Sequence, residues 1–312
     1  METKENQTTQ GTSQNSPSKW EWIHKNIIDT LPFFYVTVFF LIHILGLGTF
    51  GSKIKSGMTF ILNAISPSIA ESDVWITGRY YFSFIGLWIV LLIVLAVFEK
   101  NHSILACVGP AAKGNNLIQL GIGLLIGFGM NAFCILIAWL NKDISLYFDS
   151  FRPISFILVF IMVFIQSSAE ELACRGYLYQ RLIKCYKKPP VAIIGNSLLF
   201  GLMHLMNDGV TIWSILSLVL MGILCSVVVY YRDSLWCAFA IHTAWNFAQN
   251  ILFGLPNSGN VFPYSVFKLD AGSATDSFAY NVAFGVEGSI LCCVVYLIVI
   301  AVLYFWYTKH PQ

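Results

Sequence analysis

Gln166-Ser-Ser-Ala-Glu170-Glu171-Leu-Ala-Cys-Arg175-Gly176 follows directly on Phe151–Ile165, which reads FRPISFILVFIMVFI. The first stretch carries two carboxylates and a guanidinium, and the second has the apolarity of a membrane span. An ionised group in hydrocarbon costs at least a few kcal/mol, so such residues are rare and usually functional. On a helix, Glu171 and Arg175 stand at i and i+4 with the acid first, the favoured order for an ion pair on one face. Glu170 is rotated by about 100° from Glu171 and is free to face a cavity. The spacing therefore assigns the chemistry to Glu170 and its support to Glu171 and Arg175. A salt bridge that merely stitches helices together would use the same residues.

Outward from this stretch, composition gives the class. Of 312 residues, 57% are hydrophobic and 11% charged, against roughly 25% charged in ordinary soluble domains. Several apolar runs reach the ~20 residues needed to cross a bilayer. The expectation is an all-α, polytopic membrane bundle of about eight transmembrane helices. No basic tract points to nucleic acid. The eight cysteines show no CxxC pair, which argues against a disulfide framework or a cysteine-ligated metal.

The chain divides into a polar, disordered tail at 1–22, N-terminal transmembrane helices at 23–150, a helical core holding the chemistry at 151–253, and an external loop with the last span at 254–312. Trp20 and Trp22 are candidates for an interfacial position. The spans read as 31–50, 80–98, 117–140, 154–182, 191–206, 212–231, 235–253 and 289–307, with 51–79 as a loop. Gly123-xxx-Gly127 is a small-xxx-small pattern that lets helices pack closely. Pro189-Pro190 separate the fourth span from the fifth.

One side of the membrane holds both tails, 99–116, 182–190 and 232–234. With Arg181 it carries 11 of the lysines and arginines, and the other side carries 6. The positive-inside rule then places both termini in the cytoplasm.

Two further stretches bring polar groups to membrane depth. Phe200-Gly-Leu-Met-His204 and His242-Thr-Ala-Trp-Asn246 each place two such residues at i and i+4. At ~1.5 Å per residue, Glu170 lies roughly 15 Å, His204 roughly 20 Å and His242 roughly 12 Å from the cytoplasmic helix ends. A lone intramembrane histidine is more often a packing residue than a catalyst, and His43 is read that way. Asn131, Gln119 and Asn196 read as interhelical glue. The conjunction is what points to catalysis. A Glu and a His can bind and deprotonate a water, and an Asn with a second His can donate to a developing oxyanion.

Glu170-Glu171-xxx-Arg175, Phe200-xxx-His204 and His242-xxx-Asn246 together resemble the three motifs of the CAAX prenyl protease type 2 and bacteriocin-processing family of intramembrane proteases, which includes abortive-infection proteins. The resemblance covers about 150–250. It implies a conical cavity reached from the cytoplasm and from lipid, a water activated by Glu170 and His204, and an oxyanion held by His242 and Asn246. It also implies a membrane-anchored substrate, lipidated or not, and the setting expected is a bacterial cell membrane. Glu170, His204 and His242 could equally form a His₂Glu zinc set. With no HExxH helix present, a metal-free glutamate mechanism without a cofactor is the favoured expectation. A non-catalytic scaffold or immunity protein of the same fold is the competing reading. A proton-coupled transporter would require repeated, broken spans in two halves, and no such repeat is evident.

Overall fold

In the computed structural model the described residues are 32–110 and 112–310. The expected tail at 1–22, with Trp20 and Trp22, lies outside them. The chain is mostly helical. Helix α1 is one rod, Pro32–Ile65, with a π-helical stretch at Ile44–Gly51. Helix α2 spans Asp73–Val97 and α3 Leu117–Leu140. Strand β1 is Leu146–Phe148. Helix α4 runs Pro153–Tyr186, α5 is Pro189–Leu202 and α6 is Ile212–Arg232. Helix α7 is Leu235–Asn246, continued by a π-helical stretch Phe247–Leu252. Strand β2 is Phe267–Leu269, and α8 is Ile290–Lys309.

Six of these helices, α1, α2, α3, α4, α6 and α8, are long and apolar enough to cross a membrane. The other two expected spans are of a different kind. Helix α5 has 14 residues, only ~21 Å of rise against a ~30 Å hydrocarbon core. Helix α7 is buried on nearly every side, with 11 of its 12 residues shielded. Its apolar residues pack on all sides, and its polar His242, Thr243 and Asn246 are buried with hydrogen-bond partners.

The expected loop at 51–79 is corrected. Ser52–Ile65 continues α1 as helix, and α2 begins at Asp73 under an N-cap from Ser72, whose Oγ accepts from Trp75 N at 3.2 Å. The polar residues Lys53, Lys55 and Ser56 interrupt hydropathy without interrupting the helix. Only Pro67, which opens a short separate helix, marks a real break. The break between α4 and α5 is as expected: Lys187 turns left-handed at φ 53° and Pro189 occupies the first turn of α5, where its missing N–H is not needed.

Helix α7 packs along α3 and α4, and α6 packs between α5 and α8. The glycine pattern on α3 explains the first contact. A Cβ on Gly123 would lie 2.4 Å from Cys237 O, and one on Gly127 would lie 2.2 Å from Ile241 O. Both glycines thus press α3 against the backbone of α7. Two of the expected glue residues bridge helices: Asn131 donates to Gln249 Oε1 at 3.0 Å, and Asn196 to Ser226 Oγ at 3.2 Å.

Side-chain contacts define the two ends of the bundle. At one end Trp236 N donates to Asn115 Oδ1 at 3.1 Å, Arg181 donates to Lys100 O at 2.6 Å, and Arg232 lies over the Tyr307 ring. We call it the basic end. At the other, the loop end, β1 pairs antiparallel with β2, Tyr147 opposite Lys268. There Ser277 donates to Asp143 Oδ2 at 2.6 Å, and Asn207 donates to Ser258 O at 3.0 Å.

Candidate active site

The motif residues meet around one cavity of about 190 Å³. Glu170, His204, His242 and Asn246 all line it, with Gln166 one helical turn before Glu170. Glu171 and Arg175 stand behind the wall, and neither side chain is exposed at all. The division expected from helical rotation is therefore seen: Glu170 faces the cavity and Glu171 does not.

Arg175 Nη1 donates to Glu171 Oε1 at 2.8 Å. The same oxygen accepts from His242 Nδ1 at 2.9 Å, so a continuous chain runs Arg175–Glu171–His242. A carboxylate oxygen accepts only, so Nδ1 carries the proton and Nε2 is turned toward the cavity. There it lies 3.7 Å from Glu170 Oε2. His204 is oriented in the same way, with Nδ1 donating to Phe200 O at 2.8 Å. Phe200 organises the set: the Arg175 guanidinium lies over its ring at 4.8 Å, and the His204 and His242 rings stand at 4.9 and 5.9 Å. Gly222 of α6 leaves room for the guanidinium, since a Cβ there would lie 2.9 Å from Arg175 Nη2.

Local backbone form changes at two of the three motifs, inside the Glu170–Arg175 stretch and directly after Asn246. The helix widens to π geometry at Leu172–Leu178, after Glu171, and at Phe247–Leu252, after Asn246. Such bulges occur frequently at functional sites. His204 has no helix of its own; it sits in the turn beyond α5, with its N–H on Gly201 O.

Asn246 Nδ2 donates to Gln166 Oε1 at 3.0 Å and more weakly to Ser167 Oγ at 3.4 Å. Its Oδ1 accepts from Asn257 Nδ2 at 3.3 Å. His43, expected to be structural, has Nδ1 on Phe39 O at 2.8 Å.

Residues 152–248 match the family model described as type II CAAX prenyl endopeptidase Rce1-like. The family expectation drawn from the three motifs is thus met over the stretch that carries them. No curated protein and no solved structure matches the chain. The matched Rce1-like block runs from the start of α4 to just past Asn246, under a third of the chain.

The cavity extends beyond that block. Asn257, Ser258, Asn260, Phe262 and Glu287 line it from the segment after α7, and Tyr80 and Tyr81 from α2. None of these was assigned a role from the sequence. Two left a trace there. Asn257-Ser-Gly-Asn260 is a turn signature, and Glu287 is a lone acid immediately before an apolar span. Glu287 is buried, accepting from Trp245 Nε1 at 3.3 Å and from Ser258 N. Burial pushes its carboxyl up to about 7, with the hydrogen bonds from Ser258 and Trp245 pulling the other way.

Among the described residues, no three His, Cys, Asp or Glu side chains are grouped so as to hold a metal ion. Glu170, His204 and His242 share the cavity without forming such a group.

Proposed function

We propose that the protein is an intramembrane endopeptidase using a water activated by Glu170 and His204. The observation that carries this reading is the Arg175–Glu171–His242 chain ending at the cavity beside Glu170, with 2.8 and 2.9 Å links and a 3.7 Å approach. A purely structural salt bridge has no need to orient an imidazole toward a second carboxylate.

In this mechanism a water sits between Glu170 and the unprotonated Nε2 of His204. Glu170 takes the proton as oxygen bonds to the scissile carbonyl carbon, the general-base step. The carbonyl electron pair moves to oxygen, where Asn246 Nδ2 exchanges its 3.4 Å contact with Ser167 for the oxyanion. A second proton on His242, held by Glu171, would give Nε2 an N–H to donate as well. The intermediate then collapses, the C–N bond breaks, and Glu170 returns its proton to the leaving amine. The cavity of about 190 Å³ has room for several waters beside Glu170 and His204.

The test is cleavage of a membrane-anchored, farnesylated peptide by purified protein and by Glu170→Gln. The variant is nearly isosteric and is expected to fold normally and lose turnover. Turnover retained in Glu170→Gln would overturn Glu170 as the base, and a wild type that cleaves nothing would leave the scaffold reading in place. The same assay after exhaustive chelation examines the metal-free step. Stoichiometric zinc lost from His204→Ala and His242→Ala, with zinc-restorable cleavage, would overturn it.

Sidedness follows from the charge count. The basic end belongs to the side with 11 lysines and arginines against 6, which the positive-inside rule assigns to the cytoplasm. Asn207, Asn257 and Glu287 place the cavity toward the opposite end. We therefore read the site as reached from the extracytoplasmic side, against the cytoplasmic access that the family resemblance implies. Labelling of Thr275→Cys from outside intact cells, judged against the unsubstituted protein, is the expected result. Labelling of Lys188→Cys instead would reverse the orientation.

A further inference from the structure

The turn Asn257–Asn260 lines the same cavity as Glu170. Its backbone pairs with itself, Asn257 N on Asn260 O at 3.0 Å and Asn260 N on Asn257 O at 2.9 Å. Ser258 has φ 48° and Gly259 φ 82°. Positive φ at both central residues marks the tight hairpin turn that favours Asn and Gly there. Gly259 suits its position twice over, because a Cβ would also lie 2.4 Å from Asp208 O. Serine does not suit this region, and such a residue persists only where its surroundings hold it.

Those surroundings are specific. Glu287 accepts from Ser258 N, and Asn207, three residues after His204, donates to Ser258 O at 3.0 Å. Glu287 also accepts from Trp245 Nε1 at 3.3 Å, and Ser217 of α6 donates to the Glu287 carbonyl. Trp245 precedes Asn246 and packs on Tyr296 of α8 at 4.9 Å between rings. What the clamped turn presents to the site is the Asn257 amide, donating to Asn246 Oδ1 at 3.3 Å.

We propose that Asn257, held by the Ser258 turn and its Glu287 and Asn207 anchors, is a positioning residue that aims the Asn246 carboxamide at the reacting carbonyl. An amide is a useful oxyanion donor only with its NH₂ edge turned to the substrate. Asn257 donates to the oxygen of that amide, and Gln166 Oε1 accepts from its nitrogen. Together they fix which edge points where. Asn257, Ser258 and Glu287 lie outside the matched block 152–248, while the Asn207 anchor lies within it, so the site is completed by a segment that the family comparison does not cover. The proposal rests on the endopeptidase reading for its kinetic consequence and on geometry alone for the Asn246–Asn257 coupling.

The experiment has two arms. The first needs no substrate: a double-mutant cycle of Asn246→Ala and Asn257→Ala, read by thermal unfolding in detergent. Residues that share a bond are non-additive, so the double variant is expected to lose less than the sum of the single losses. Additive losses would overturn the proposal. The second arm measures cleavage of the farnesylated peptide. Asn257→Ala is expected to lower kcat by up to about 100-fold, as misplacement of a catalytic group can, with KM nearly unchanged. In the Asn246→Ala background it should cause no further loss. Asn257→Asp keeps the shape and removes the donor, so it should fold and be as impaired as Asn257→Ala. Full activity in Asn257→Asp would overturn the proposal. A wild type that cleaves no peptide would sink the endopeptidase reading, while the thermal cycle would still decide the coupling.

Discussion

Helices α4–α7 and the segment Gly254–Gly288 face the same cavity and hold it by different means. In the helices, the site is built from side chains whose spacing makes them neighbours: Glu171 with Arg175, and Phe200 with His204. In the segment, it is built from backbone groups and single amides whose partners are distant in sequence, such as Ser258 N with Glu287 and Asn257 with Asn246. The helical half holds the carboxylate and the histidines that line the cavity. The loop half holds a hydrogen-bonded turn against Asn246. A family model can follow the first half because its pattern is local and periodic. It stops before the second.

The contrast can be strained from both sides. The largest expected effect is on the helical half. Arg175→Ala leaves Glu171 buried without its guanidinium, and breaking a buried pair in this way typically costs ~3–5 kcal/mol. Lower expression and a lower Tm are expected alongside lost turnover. A well-folded, inactive Arg175→Ala would instead give Arg175 a direct part in the chemistry.

Glu287 in the loop half should give an intermediate, pH-dependent effect. Its carboxyl is raised from 4.5 to about 7 by burial, so the fold favours the neutral acid. Its contribution is fully present below about 4.5 and is lost as pH rises through about 7, up to a limit on the order of 3 kcal/mol. The difference in Tm between wild type and Glu287→Gln is therefore expected to move against the wild type between pH 5 and pH 8. A difference constant across that range would show that the carboxyl stays ionised in the fold.

The smallest effect belongs to the rim of the loop half. Lys268 and Asp149 pair at 3.2 Å with about a third of each side chain exposed. Exposed pairs contribute about 0–1 kcal/mol, so Lys268→Ala should shift the Tm by no more than a few degrees. A larger loss would mean that the β1–β2 pairing depends on this ion pair.

The sequence was sufficient for whatever depends on local geometry and solvent. Apolar runs told of the bilayer, since a membrane demands length and hydropathy of any span. The Glu171–Arg175 pair and the outward turn of Glu170 followed from helical pitch, and the Gly123–Gly127 face from the need for close helix approach. It misjudged 51–79, where polarity marked a change of environment while the backbone stayed helical. It also could not tell that α7 is a buried core helix rather than a lipid-facing span, because the apolar run Leu235–Ile241 that opens it suits either setting. Only the tertiary structure joined His242 to Glu171 across 71 residues and turned both histidines' Nε2 atoms to one cavity. Only it brought Asn257 and Glu287 to α7. Those contacts are chosen by how helices pack and by which buried donors must find acceptors, and no spacing along the chain records that choice.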